Sequence, residues 1–136
     1  MATKIFVNLP VKDLDTSKEF FTNIGYTFNA QFTDDKAACM VISDDIFAML
    51  LKEEFFKTFT PNEIADARKT TESIICLSAD SREAVDDLIS KATAAGGTTY
   101  KEPQDHGFMY GHGFRDIDGH LWEYMWMDPS AINGAS

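Results

Sequence analysis

The chain has 136 residues, a length that suits one compact domain able to bury roughly two thirds of its unfolded surface. A hydrophobic content of 44% with 12% aromatics supports an ordinary globular core. The net charge of −10, from 12 basic and 22 acidic residues, argues against nucleic acid or an anionic membrane as partner, because both need a basic surface. Lys4, Lys12, Lys18 and Lys36 are scattered rather than clustered.

Met1-Ala2-Thr3-Lys4-Ile5 carries no apolar signal segment, and no run approaches membrane-spanning length. Cys39 and Cys76 lack metal-ligand spacing and fall in apolar stretches, so both read as small buried hydrophobes in a cytoplasmic protein with reduced thiols.

In chain order, Ile5 to Leu9 is a first strand. Pro10 to Asp15 leads into a helix, with Thr16 and Glu19 forming a capping box, Phe20, Phe21 and Ile24 forming its apolar stripe, and Gly25 ending it. Tyr26–Phe32, Ala37–Ile42 and Ile46–Leu51 read as three further strands. In the connector, Phe55, Phe56 and Phe59 lie at helical spacing and Thr60-Pro61-Asn62-Glu63 reads as a helix start. Two short helices are expected there, with the phenylalanines docked on the core.

The scheme then repeats. Ser73–Ala79 is a strand, and Asp80-Ser81-Arg82-Glu83 starts a helix whose apolar face is Val85, Leu88, Ile89, Ala92 and Ala95. Gly96-Gly97 ends it, Thr98–Lys101 begins another strand, and Phe108–Phe114 and Leu121–Met127 form a hairpin. Asp118-Gly119 signals a tight turn with positive φ. The expected fold is α+β: paired βαβββ modules as an open, barrel-like eight-strand sheet with helices outside. One domain spans 1–136, with module one at about 3–52, a connector at 53–72 and module two at about 73–128.

Two segments carry a family resemblance. Asn8-Leu9-Pro10-Val11-Lys12-Asp13-Leu14-Asp15, continuing to Gly25-Tyr26, resembles the opening module of the vicinal oxygen chelate superfamily, and Asp116-Ile117-Asp118-Gly119-His120-Leu121-Trp122-Glu123 is similar to its closing motif. That group includes glyoxalase I, extradiol dioxygenases and the bleomycin- and fosfomycin-resistance proteins. The resemblance implies a homodimer and a divalent metal held by His, Gln or Glu. Carried onto this chain, the ligand positions fall on Phe6, on one of Met49, Leu50 and Leu51, on Ile74, and on Glu123. Only Glu123 has ligand chemistry, and a metal site needs at least three protein ligands, so no metal and no cofactor is expected.

Three histidines bear on a metal or a proton relay. His120 has odd separation from Glu123 and is assigned to the turn, His106 lies in a loop, and His112 stands across from Glu123 in one register. A structural His112–Glu123 pair is the preferred reading.

Two functions follow. In the first, the protein binds a small cationic or aromatic molecule in an apolar cavity, with Phe6, Asn8, Phe47, Ile74, Tyr110, His112, Leu121 and Met125 as candidate ligand-binding residues and Glu123 orienting the guest. In the second, it is a lyase, isomerase or dioxygenase-type enzyme of the same superfamily that uses Glu123 as metal ligand or as general acid or base, with Tyr110 or His112 as partner.

Overall fold

The computed structural model describes residues 3–130. The chain forms two compact units that part between Asp66 and Ala67.

In the first unit, β1 (Ile5–Val11), α1 (Leu14–Ile24), β2 (Thr27–Phe28), β3 (Ala37–Val41) and β4 (Ile46–Lys52) make a sheet ordered β1-β4-β3-β2. The first strand is parallel to the last, and the other neighbours are antiparallel. A single helical turn, α2 (Glu53–Phe56), and a 3₁₀ turn at Lys57–Phe59 follow.

The second unit repeats the scheme with β5 (Ile74–Ser78), α3 (Arg82–Ala94), β6 (Gln104–Asp105), β7 (Met109–Arg115) and β8 (Leu121–Met127), ordered β5-β8-β7-β6. Again the edge strand runs parallel to its neighbour. The fold class is thus the expected α+β with paired βαβββ modules, its eight strands carried as two four-stranded sheets, neither closed into a barrel. Among the described residues no helix is long and apolar enough to cross a membrane.

Each sheet buries one face under its helix. In the first unit Leu9, Val11, Ala38, Met40, Ala48 and Leu50 are buried with Phe20, Phe21 and Ile24 of α1. Each large apolar side chain so enclosed contributes about 1.5–3 kcal/mol. In the second, Phe114, Trp122 and Tyr124 are buried with Val85, Ile89 and Ala92 of α3. The face away from the helix is the open face of each sheet; on it Phe6 and Ile74 are exposed, while Ala37, Cys39 and Leu51 at one end of the first are buried.

Several local expectations change. Helix α1 is capped by Asp13, whose carboxylate accepts from the Thr16 backbone N–H at 3.1 Å, rather than by a Thr16–Glu19 box. Starting a turn earlier buries Leu14. Gly25 does end the helix, at φ +124°.

The strand expected over Tyr26–Phe32 shortens to Thr27–Phe28. There the Asn29 side chain accepts from the Gln31 N–H and draws Ala30–Phe32 into a 3₁₀ turn, a local bond that competes with the ladder. The helix expected from Thr60 does not form. Thr60 Oγ1 caps only a tight turn at Asn62, and residues 63–69 offer Ile64 alone as a large apolar side chain to bury. Phe59 packs edge-on against Phe55 but stays exposed, so it is not docked in the core.

The hairpin connection is longer than a two-residue turn. Only Gly119 takes positive φ, and Asp116 organises residues 116–120. The buried Asp116 carboxylate accepts the backbone N–H of Asp118 and His120 and the indole N–H of Trp122 at 2.9 Å. His120 therefore belongs to the turn, as expected. Trp122 is fully buried.

Candidate functional site

Strand register decides which candidates share a face with Glu123. Across β7–β8, Gly113 is opposite Glu123, Gly111 opposite Met125 and Arg115 opposite Leu121. Across β5–β8, Cys76 is opposite Glu123 and Ile74 opposite Leu121. The open face of the second unit therefore gathers Glu123, Leu121, Met125, Ile74, Cys76 and Arg115 around two glycines.

Tyr110 and His112 do not join them, which corrects the pairing expected for both. Opposite them stand Trp126 and Tyr124, on the helix-covered face. His112 Nε2 is 3.0 Å from the Lys101 carbonyl oxygen. The Tyr110 hydroxyl donates to Asp86 at 2.6 Å, a bond that pushes its phenol up to about 12. His112 is displaced by a single register step, enough to turn a side chain through the sheet. His106 lies in the loop after β6, where its backbone N–H meets the Met109 carbonyl.

Glu123 has other partners. The Tyr100 hydroxyl and the Lys101 ammonium each lie 3.5 Å from its Oε2. Residues 98–101, expected as a strand, keep only one bridge, Thr98 to Arg115, and the sixth strand forms later at Gln104–Asp105. Freed from a ladder, Tyr100 and Lys101 reach the acid.

Gly113 makes the approach feasible. A Cβ built there would stand 2.6 Å from the Tyr100 hydroxyl and 2.7 Å from the Trp122 carbonyl oxygen, so a side chain would push the phenol away. Arg115 lies over the Tyr100 ring, 5.5 Å from its centroid. Burial, then the negative charge of Glu123, raises the Tyr100 phenol above its ordinary value and keeps it a proton donor. The same two causes in the same order raise the Cys76 thiol. Cys76 is exposed, contrary to expectation, because β5 is an edge strand and residue 76 falls on its open face; Cys39 is buried as expected.

In the first unit, Phe6 stacks on Phe47 with ring centroids 4.8 Å apart, and Lys4 lies 5.7 Å from the Phe47 centroid. Asn8, opposite Met49, is exposed on the same open face. That face therefore offers aromatic surface and an amide but no carboxylate at the strand position matching Glu123, where Met49 stands.

The divalent metal that the resemblance implies does not fit these donors. Phe6 and Ile74 present hydrocarbon, Met49 only a thioether, and Glu123 already holds a lysine. Among the described residues no three of His, Cys, Asp or Glu are grouped closely enough to hold an ion.

Comparison with known proteins agrees with this architecture. Residues 3–43 match the family described as bleomycin resistance protein-like N-terminal. A hypothetical protein from S. aureus is 27% identical with a TM-score of 0.78, over 93% of this chain and 95% of that one. A glyoxalase/bleomycin resistance protein/dioxygenase family enzyme from Burkholderia phytofirmans PsJN has a TM-score of 0.78 at 18% identity, over 93% and 99%. TnmS3, an antibiotic binding protein from Streptomyces sp. CB03234, has 0.66 at 17%, over 93% and 97%. No curated protein matches the chain by sequence. The chain thus has the glyoxalase/bleomycin-resistance fold of the vicinal oxygen chelate superfamily, and its residues 3–43 resemble the bleomycin resistance protein-like N-terminal family.

Proposed function

We propose that the protein binds a small molecule on the Glu123 face of its second unit, with the superfamily's metal site degenerate and two chains pairing as a homodimer. The observation that carries this is the donor set: hydrocarbon stands at Phe6 and Ile74, and the surviving acid is engaged by Tyr100 and Lys101. The likeness to an antibiotic binding protein supports the same reading.

From the sequence the guest was expected to be cationic or aromatic. Met125, Leu121 and Ile74 beside the bare backbone of Gly111 favour a flat apolar or aromatic body, because a ring can lie close to a glycine strand and against a thioether. A cationic guest would have to displace Lys101 from Glu123.

The second reading, an enzyme using Glu123 as acid or base, draws support from the Tyr100 hydroxyl beside it, a proton donor that could complement a carboxylate base. The two readings part at Glu123→Gln. Under binding, the variant keeps aromatic guests and changes only its preference among charged ones. Under catalysis, it loses turnover while guest affinity holds. The test is a binding and turnover assay of both proteins against a panel of small carbonyl compounds and aromatics. Turnover by the wild type that disappears in the variant would replace the first reading with the second.

A further inference from the structure

We infer that the guest bound on the Glu123 face carries a negative charge, as a carboxylate or another oxyanion; this rests on the reading that the face is a ligand site. The strand positions of that face hold one acid, Glu123, and one base, Arg115, while Lys101 adds a second base from the preceding loop. Two cations thus meet one anion, in a chain whose overall charge is −10.

The local geometry separates their roles. Lys101 neutralises Glu123 at 3.5 Å. The Arg115 guanidinium lies over the Tyr100 ring, 5.5 Å from its centroid, and has no carboxylate partner among the described residues. A guanidinium with no carboxylate partner has N–H groups available, and their fork matches an oxyanion in two-point geometry. The Tyr100 hydroxyl, kept protonated by burial and by Glu123, is a neutral donor on the same side. The sequence alone suggested the opposite preference, because Glu123 was the only charge visible there.

The test compares benzoate, benzyl alcohol and benzylamine, followed by NMR shifts of backbone amides at and around Gly113 in the wild type, Arg115→Met, Lys101→Met and Glu123→Gln. Benzoate is expected to bind more tightly than the other two, to weaken about fivefold or more in Arg115→Met, and to weaken as salt rises. In Glu123→Gln, which frees Lys101, benzoate is expected to bind about threefold more tightly. Unchanged amide shifts in α3 show that each variant is folded.

Benzylamine or benzyl alcohol binding as well as benzoate, or benzoate indifferent to Arg115→Met, would overturn the inference while leaving the face a ligand site. If none of the three probes moves an amide on this face, the site reading itself fails, and the inference falls with it.

Discussion

The two units are built on one plan and differ in what their open faces carry. Both place the edge strand parallel to the last strand, and both bury a helix with three or more large or small apolar residues on the covered side. On the open side, the first unit presents Phe6 stacked on Phe47, with Met49 central. The second presents Glu123, Tyr100, Lys101 and Arg115 around glycines. Duplicated packing with divergent open faces places the shared burial on the helix side and the clustered polar side chains on the open face of the second unit.

The largest effect should fall on the shared side, in both copies. Phe21→Ala in the first unit and Trp122→Ala in the second each remove a fully buried ring, and each should cost about 3–5 kcal/mol in denaturant unfolding. Trp122→Ala also strips Asp116 of its indole donor, so it should be the worse of the two. A mild Trp122→Ala would mean that the second core depends less on its helix face than the first.

A smaller effect separates two glycines on the same strand. Gly113→Ala must shift either Tyr100 or the β8 backbone, and should cost about 1–3 kcal/mol. Gly111→Ala meets only the Tyr124 carbonyl oxygen at 3.4 Å, so it should fold within about 0.5 kcal/mol of the wild type. Equal costs in thermal unfolding would show that Tyr100 does not depend on the missing side chain at 113.

The smallest effect is a surface ion pair of the second unit that joins the start of α3 to β6. Arg82 donates to Asp105 at 2.6 Å and to the Gly107 carbonyl, and lies over the Tyr110 and Trp126 rings. The pair holds the Asp105 carboxyl at about 2. With the folded value depressed, its share of stability is present above the ordinary aspartate value and fades as pH falls toward about 2. In Arg82→Gln, an NMR titration should return Asp105 to the ordinary carboxylate range.

Much of this was legible in the sequence because it is periodic. The β-α-β-β-β order, the α1 stripe of Phe20, Phe21 and Ile24, and the terminating Gly25 all follow from spacing. On the candidate face, Glu123, Leu121, Met125 and Ile74 were legible. Tyr100 and Lys101 were hidden because Thr98–Lys101 has strand composition, and nothing local reveals that the ladder fails after a single bridge. His112 and Tyr110 were misplaced because register between strands is set by the intervening connection, here a five-residue loop tied by Asp116 rather than a tight turn at Asp118-Gly119. A signal for Tyr100 was nonetheless present: a glycine in the middle of a strand, at 113, marks a close approach.

The central claim is that the Glu123 face works without a chelated metal. It is tested most directly by the melting temperature of purified wild-type protein and Glu123→Gln during titration with zinc, nickel and manganese ions. The account predicts no rise in either protein. A saturating rise in the wild type that disappears in Glu123→Gln would contradict it, because only an ion gripped at that acid could stabilise the fold in this way.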